Sequence, residues 1–146
     1  MFEMHGMELI DAIRQERSEP PSGIRTLGLD GTHRWLTDLK PGVAEFAWEV
    51  DPAYLNLEGA VICSWTTALA DQALFFASNT ICQAGEGTRM ADLHLKVFTD
   101  MKEGTVAIRA AITERIGDRM FGLCTFTLED GTVAAQVTVT IDVVQA

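Results

Sequence analysis

The chain has 146 residues, of which 47% are hydrophobic, 22% charged and 8% aromatic, a balance that fits one globular core and excludes a disordered or collagen-like chain. Eleven Lys and Arg against 21 Asp and Glu leave a formal charge of −10, whose field repels nucleic acid and anionic bilayers, so neither is expected as a partner. Cys63, Cys82 and Cys124 are odd in number and form no C-x-x-C pair, which excludes a disulfide framework and structural zinc and predicts reduced, buried thiols in a cytoplasmic protein.

In chain order, Glu3 to Arg17 sets Met1, Met4, Met7, Ile10 and Ile13 at helical spacing, with Glu8, Asp11, Gln15 and Glu16 around the other side. The pattern predicts an amphipathic N-terminal helix over 3–17, and its acidic residues do not fit a signal peptide. Pro20-Pro21 ends any helix, after which Ile24–Leu29 and His33–Leu39 read as short extended pieces separated by Asp30-Gly31. Beyond the Lys40-Pro41-Gly42 turn, Ala44, Phe46, Trp48 and Val50 alternate with Val43, Glu45, Ala47 and Glu49, a period of two that predicts a strand.

Asp51-Pro52 opens an irregular stretch through Tyr54, Asn56 and Gly59, and a long apolar helix is predicted over 61–81. At about 1.5 Å per residue it has the length of a membrane span. Asp71 at its middle costs about 2.5–3.5 kcal/mol in a bilayer, so burial in protein is the better reading. From Arg89 onward the chain becomes a train of strands, Arg89–Thr99, Thr105–Ile116, Met120–Leu128 and Thr132–Val144. The turn signals Lys102-Glu103-Gly104, Gly117-Asp118 and Asp130-Gly131 between them predict an antiparallel meander over 89–144. The apolar side chains of the central helix, among them Trp65, Leu69, Leu74, Phe75 and Phe76, cover nearly its whole circumference, so it must be surrounded. A strongly curved antiparallel sheet wrapped around it meets that demand, and without repeat or linker the expectation is one α+β domain over 1–146.

A sheet wrapped around one helix is the hotdog architecture, and Pro52 to Asp71 resembles the hotdog thioesterases of the phenylacetate-pathway type. Their pattern runs Asn, two or more variable residues, Gly, two residues, His-Gly-Gly, then an acid two turns into the helix; Asn56, Gly59 and Asp71 fall at the matching spacings. Asp92-Leu93-His94-Leu95 to Lys102-Glu103-Gly104 resembles the family's next strand and turn. Ile62 stands where the family usually has His, Cys63-Ser64 replaces Gly-Gly, and Met90 takes a place where Ser or Thr often holds the attacking water. The resemblance implies a hotdog fold from Val43 to the C-terminus with an extra N-terminal helix. It further implies hydrolysis of a small or medium acyl-CoA-type thioester, no metal or redox cofactor, and a homodimer or dimer of dimers.

The chemistry also follows from the residues. Thioester hydrolysis needs donors aimed at a developing oxyanion and a carboxylate to activate water or attack the carbonyl. A helix beginning near Val61 would offer the N–H groups of Ile62, Cys63 and Ser64 together with its dipole. Asp71 is the helix's one acid, set among apolar residues where desolvation raises its pKa; the alternative is a structural carboxylate with a polar partner. About 12 Å along the helix separates Cys63 from Asp71, so one subunit cannot complete the site, and two antiparallel helices across a two-fold axis would.

Asn56 reads as a group positioning water or the thioester carbonyl, or else as a turn residue, and Gly59 as a positive-φ or close-approach position. Trp65 is either an acyl-pocket wall or core. Cys63 as a nucleophile would need a basic partner that the neighbouring sequence lacks. Arg89, Lys96, Lys102 and Arg109 are the candidate cations for coenzyme A phosphates, or solvated strand edge. His94 has no second His spaced for a metal pair. The competing function is a hotdog module that binds an acyl thioester, or assembles, without catalysis.

Overall fold

The computed structural model describes residues 6–145. The N-terminal amphipathic stretch forms helix α1 over Gly6–Arg14, burying Ile10 and Ala12. Met1, Met4 and the rest of the expected first turn lie outside the described residues, and Met7, expected on the apolar face, is exposed. The stretch expected to be extended at Ile24–Leu29 instead opens with a short helix, α2, over Ser22–Thr26. Pro21 sits just ahead of its first turn, where the missing N–H is no loss and the fixed φ favours helix, and only Ile24 of its residues is even half-buried, so no period of two exists to support a strand. His33–Trp35 is likewise no strand: Thr32–Trp35 forms a 3-10 turn. His33 Nε2 and the Arg34 guanidinium hold it there by hydrogen bonds to the Glu16 carboxylate.

Strands β1 (Leu36–Lys40) and β2 (Val43–Glu49) follow, then helix α3 (Cys63–Asn79) and strands β3 (Glu86–Val97), β4 (Thr105–Ile116), β5 (Arg119–Thr127) and β6 (Val133–Gln145). Helix α3 is shorter than expected at both ends. Val61 N–H donates to the Met101 carbonyl and Ile62 N–H to the Tyr54 carbonyl, bonds that hold both residues outside the helical ladder. At the far end the Thr80 hydroxyl donates to Ala77 and accepts the Gly42 N–H at 2.7 Å.

All strand pairs are antiparallel, in the order β1-β2-β4-β5-β6-β3. The meander expected over 89–144 is therefore only partly present. Strands β4, β5 and β6 are joined as hairpins, but β3 pairs with β6 at the sheet edge and β4 pairs with β2. Lys102-Glu103-Gly104 closes no hairpin; it belongs to a connection that carries the chain from the edge strand back to the sheet centre. Along that connection Met101 is buried and Gly104 accepts the Val50 N–H.

The inward residues of each strand, such as Phe46 and Trp48, Val106 and Ile108, Cys124 and Phe126, Val137 and Ile141, make one buried face around α3. Irregularities in the pairing at Met90/Asp92 and Ile112/Glu114 break the ladders, and such bulges bend strands and deepen twist. Helix and sheet approach closely at Gly122, where a Cβ would lie 3.0 Å from Leu74 and 3.1 Å from Val139, so any side chain there would have to push these neighbours aside. This architecture, a curved antiparallel sheet around a long helix with a further helix at the N-terminus, is the hotdog fold.

An ion pair braces the far end of the sheet. Glu86 accepts both arms of Arg115 at 2.7 and 3.0 Å and the Gln83 N–H at 2.8 Å, and the Arg115 hydrogen bonds, then the Gln83 N–H, hold its carboxyl down at about 2. A depressed carboxylate pKa adds stability above the ordinary value and loses it as pH falls through the folded one. The urea midpoint of the protein should therefore decline from about pH 4.5 toward about 2, and Glu86→Gln should lower the midpoint at neutral pH and flatten that decline.

Candidate active site

The sheet does not close completely around α3. Trp65, Leu69, Ala73, Leu74 and Phe76 are buried, whereas Ser64 is exposed and Ala68, Asp71 and Phe75 are only half-buried. These four positions follow one another at helical spacing, so they form one stripe left open by the chain's own sheet.

Asp71 lies at the middle of that stripe. Burial pushes its carboxyl above the ordinary carboxylate value, a hydrogen bond with Gln72 acting against the shift, and no cation stands within ion-pair distance among the described residues. A carboxyl in this setting binds its proton more tightly than a solvated one.

At the other end of the stripe is the start of α3. Ile62 does not contribute a free donor as expected, because its N–H is committed to the Tyr54 carbonyl at 2.9 Å. The free donors are the N–H groups of Cys63 and Ser64, the first two helical residues, which have no intrahelical acceptor. Cys63 itself is exposed, not buried as expected, while Cys82 and Cys124 are buried. Cys124 sits in the apolar face of β5 where burial raises its thiol strongly, and Cys82 is pushed up to about 11. From Cys63 to Asp71 the observed helix rises about 12 Å.

The connection leading to α3 is organised by Asn56. Its Oδ1 accepts the N–H groups of Glu58 and Ala60 at 2.9 and 3.1 Å, and its own N–H donates to the Ala60 carbonyl. These bonds close a tight loop whose Gly59 has φ +79°, a conformation that only glycine adopts at low cost. The Asn56 side chain thus presents its Nδ2 to the surroundings. Tyr54, to which the sequence reading gave no role, completes the loop: its ring stacks on Trp65 at 3.7 Å between centroids, and Trp65 in turn touches Trp48. Trp65 is buried, with its Nε1 unpartnered. As the chain's one Tyr beside a helix start with a Trp, Tyr54 had a visible signal, but the stacking depends on the loop's path.

Of the cations considered for coenzyme A, Arg89 pairs with Asp142 at 3.1 Å, a carboxylate shared with Arg119, and Arg109 pairs with Glu45. Lys96 lies over the Phe98 ring. Lys102 is exposed next to Met101, whose carbonyl meets Val61 at 2.8 Å, so it is the one held beside the approach to α3. Met90 is half-buried in β3 opposite Ile141, one residue before the bulge, and His94 is exposed on the same strand. Among the described residues no cluster of His, Cys, Asp and Glu suited to a metal ion occurs, and no helix is long and apolar enough to cross a membrane.

No family model and no curated sequence matches this chain. Solved structures do. A thioesterase family protein from Silicibacter pomeroyi superposes with a TM-score of 0.76 at 15% identity, over 94% of this chain and 99% of that one. The E. coli PaaI protein from the phenylacetic acid degradation operon gives 0.75 at 14% identity, over 94% of each chain. A Streptococcus mutans protein bound to acetyl-CoA gives 0.70 at 19% identity, over 75% of this chain and 87% of that one. At such identities the likeness establishes the shared fold.

The Asn56 loop generates its own test. Asn56→Ala, which strips two N–H groups of their acceptor, should lower stability by about 1–2 kcal/mol in urea unfolding. Asn56→Asp, which keeps an acceptor oxygen, should recover most of that loss.

Proposed function

We propose that this protein hydrolyses an acyl-CoA-type thioester, with Asp71 as general base or nucleophile. The observation that carries the reading is the Asp71 carboxyl, half-buried and without a cationic partner on the open stripe of α3, in line with the free N–H groups at that helix's start. The structural likeness to a thioesterase family protein and to a protein that binds acetyl-CoA supports it.

In the general-base form, Asp71 takes a proton from water as the water oxygen bonds to the thioester carbon. The carbonyl becomes an oxyanion, which the N–H groups of Cys63 and Ser64 and the positive end of α3 stabilise. Collapse breaks the C–S bond, and the proton held by Asp71 goes to the departing thiolate, giving a carboxylic acid and free coenzyme A. Asn56 Nδ2 orients the carbonyl or the water. Gly59 gives the loop its turn, and Ile62, Ser64, Trp65 and Met90 form the surroundings of the thioester, with Arg89 or Lys102 toward the phosphates.

The rise of about 12 Å between Cys63 and Asp71 exceeds the reach of one carbonyl group. Two protomers with α3 helices antiparallel across a two-fold axis bring Asp71 of each to the helix start of the other and cover both open stripes, so the working unit is a homodimer or a dimer of dimers. Ile62 and Met90, apolar where the resembling family carries His and Ser or Thr, favour the competing reading of a module that binds the thioester without cleaving it.

Thiol release from a panel of acyl-CoA esters decides between the two. Hydrolysis should be observed, and Asp71→Asn should lower kcat by a factor on the order of 10² to 10⁴ with the fold retained. Because the base works deprotonated and burial raises its pKa, kcat/KM should fall on the acidic side at a pH above that of an ordinary, solvated Asp. Ligand-induced thermal stabilisation without thiol release identifies the binding module instead. Light scattering should give at least a dimeric mass; a monomer at micromolar concentration rules out the shared site.

A further inference from the structure

We infer that the N-terminal segment, from α1 through Trp35, forms the acyl-chain clamp of this protein: the cavity it closes against the C-terminal half of α3 takes the hydrocarbon tail of a medium-chain acyl thioester and sets the chain-length preference. The inference rests on the hydrolase reading and extends it, naming the substrate's tail and the element that selects it.

The cavity encloses about 660 Å³, within the range of roughly 300–1,000 Å³ typical of small-molecule sites. Its apolar lining comes from Leu9 and Ile13 of α1, Ile24 of α2, Leu29, and Phe75 and Phe76 of α3. Three of the polar groups that line it, Glu16, His33 and Arg34, are committed to one another. Glu16 accepts Arg34 at 2.8 Å and His33 at 3.1 Å, Arg17 donates to Gln15, and Glu19 pairs with Arg25. Asp30, the other rim charge, is an exposed anion. Arg17, bonded to a neutral amide and exposed, stays in solvent, while the apolar lining suits an uncharged hydrocarbon tail whose polar head lies elsewhere.

The position of Asp71 supplies the head. Gln72 lines the cavity next to it, and Phe75 is one helical turn, about 6 Å, further along the same face. A thioester whose carbonyl meets Asp71 therefore sends its acyl carbons directly toward Phe75 and under the N-terminal segment. Glu16, at φ +55°, is in the left-handed region that non-glycine residues seldom adopt, and its three-way contact with His33 and Arg34 ties the end of α1 to the 3-10 turn across the cavity.

The test uses the full chain and straight-chain acyl-CoA esters from acetyl to dodecanoyl. Burial of each added methylene predicts a rise in kcat/KM of about four-fold until the cavity is full. Filling the cavity from two different walls, with Ile24→Trp and with Ile13→Trp, should lower the ratio of decanoyl to butanoyl kcat/KM ten-fold or more. The readout is a ratio within one sample, so partial loss of folded protein cancels. Thiol release with a ratio that neither variant moves overturns this inference alone. No thiol release from any ester by the wild type overturns the hydrolase reading and this inference with it.

Discussion

The structure depends on one packing constraint: a helix apolar around most of its circumference has to be covered by a sheet only six strands wide. Coverage requires the sheet to curl, and the broken ladders at Met90/Asp92 and Ile112/Glu114 provide the bends. It also requires close approach, which Gly122 permits by leaving room for Leu74 and Val139. A helix this apolar cannot stand in water, and a flat sheet would contact only one of its sides.

What the sheet leaves uncovered is where the proposed chemistry falls. The stripe Ser64–Ala68–Asp71–Phe75 is left open by the chain's own sheet, and it holds both the carboxyl whose proton affinity burial raises and the end of the helix with free N–H groups. A half-buried carboxyl without a cation beside it is a cost to folding. Proteins tolerate that kind of cost at sites that use the group. The same opening explains why assembly and catalysis are linked in the proposed function, since a second copy would both cover the apolar edge of the stripe and bring the missing half of the site.

The Asn56 loop and the N-terminal segment bound this stripe from its two ends. The loop is stiffened by the Asn56 side chain, Gly59 and the Tyr54–Trp65 stack, so the start of α3 is held against a braced turn. The N-terminal segment is held by the Glu16–His33–Arg34 contact and by the buried Ile10 and Leu29. Its Leu9, Ile13, Ile24 and Leu29 line the cavity, while Met7 and Leu27 are exposed.

The sequence by itself determined the strands with strict alternation, the existence of the apolar central helix and Asp71 as its one acid, because periodicity and composition are local properties that tertiary contacts amplify; the hotdog architecture was legible through the resemblance that Pro52 to Asp71 carries. The β4 bounds were legible to the residue, since Gly104 and Gly117 punctuate both ends. Only the tertiary structure decided that β3 crosses to pair with β6, because strand partners are chosen by which faces and edges remain after the helix is wrapped, and a turn signal such as Lys102-Glu103-Gly104 does not encode its partner. It also decided that Ile24 and His33 sit in helical turns, which Pro21 and the Glu16 contact impose over a weak local pattern. And it decided that the Ile62 N–H is committed while those of Cys63 and Ser64 are free, since whether a donor at a helix start is satisfied depends on which carbonyl the fold carries past it.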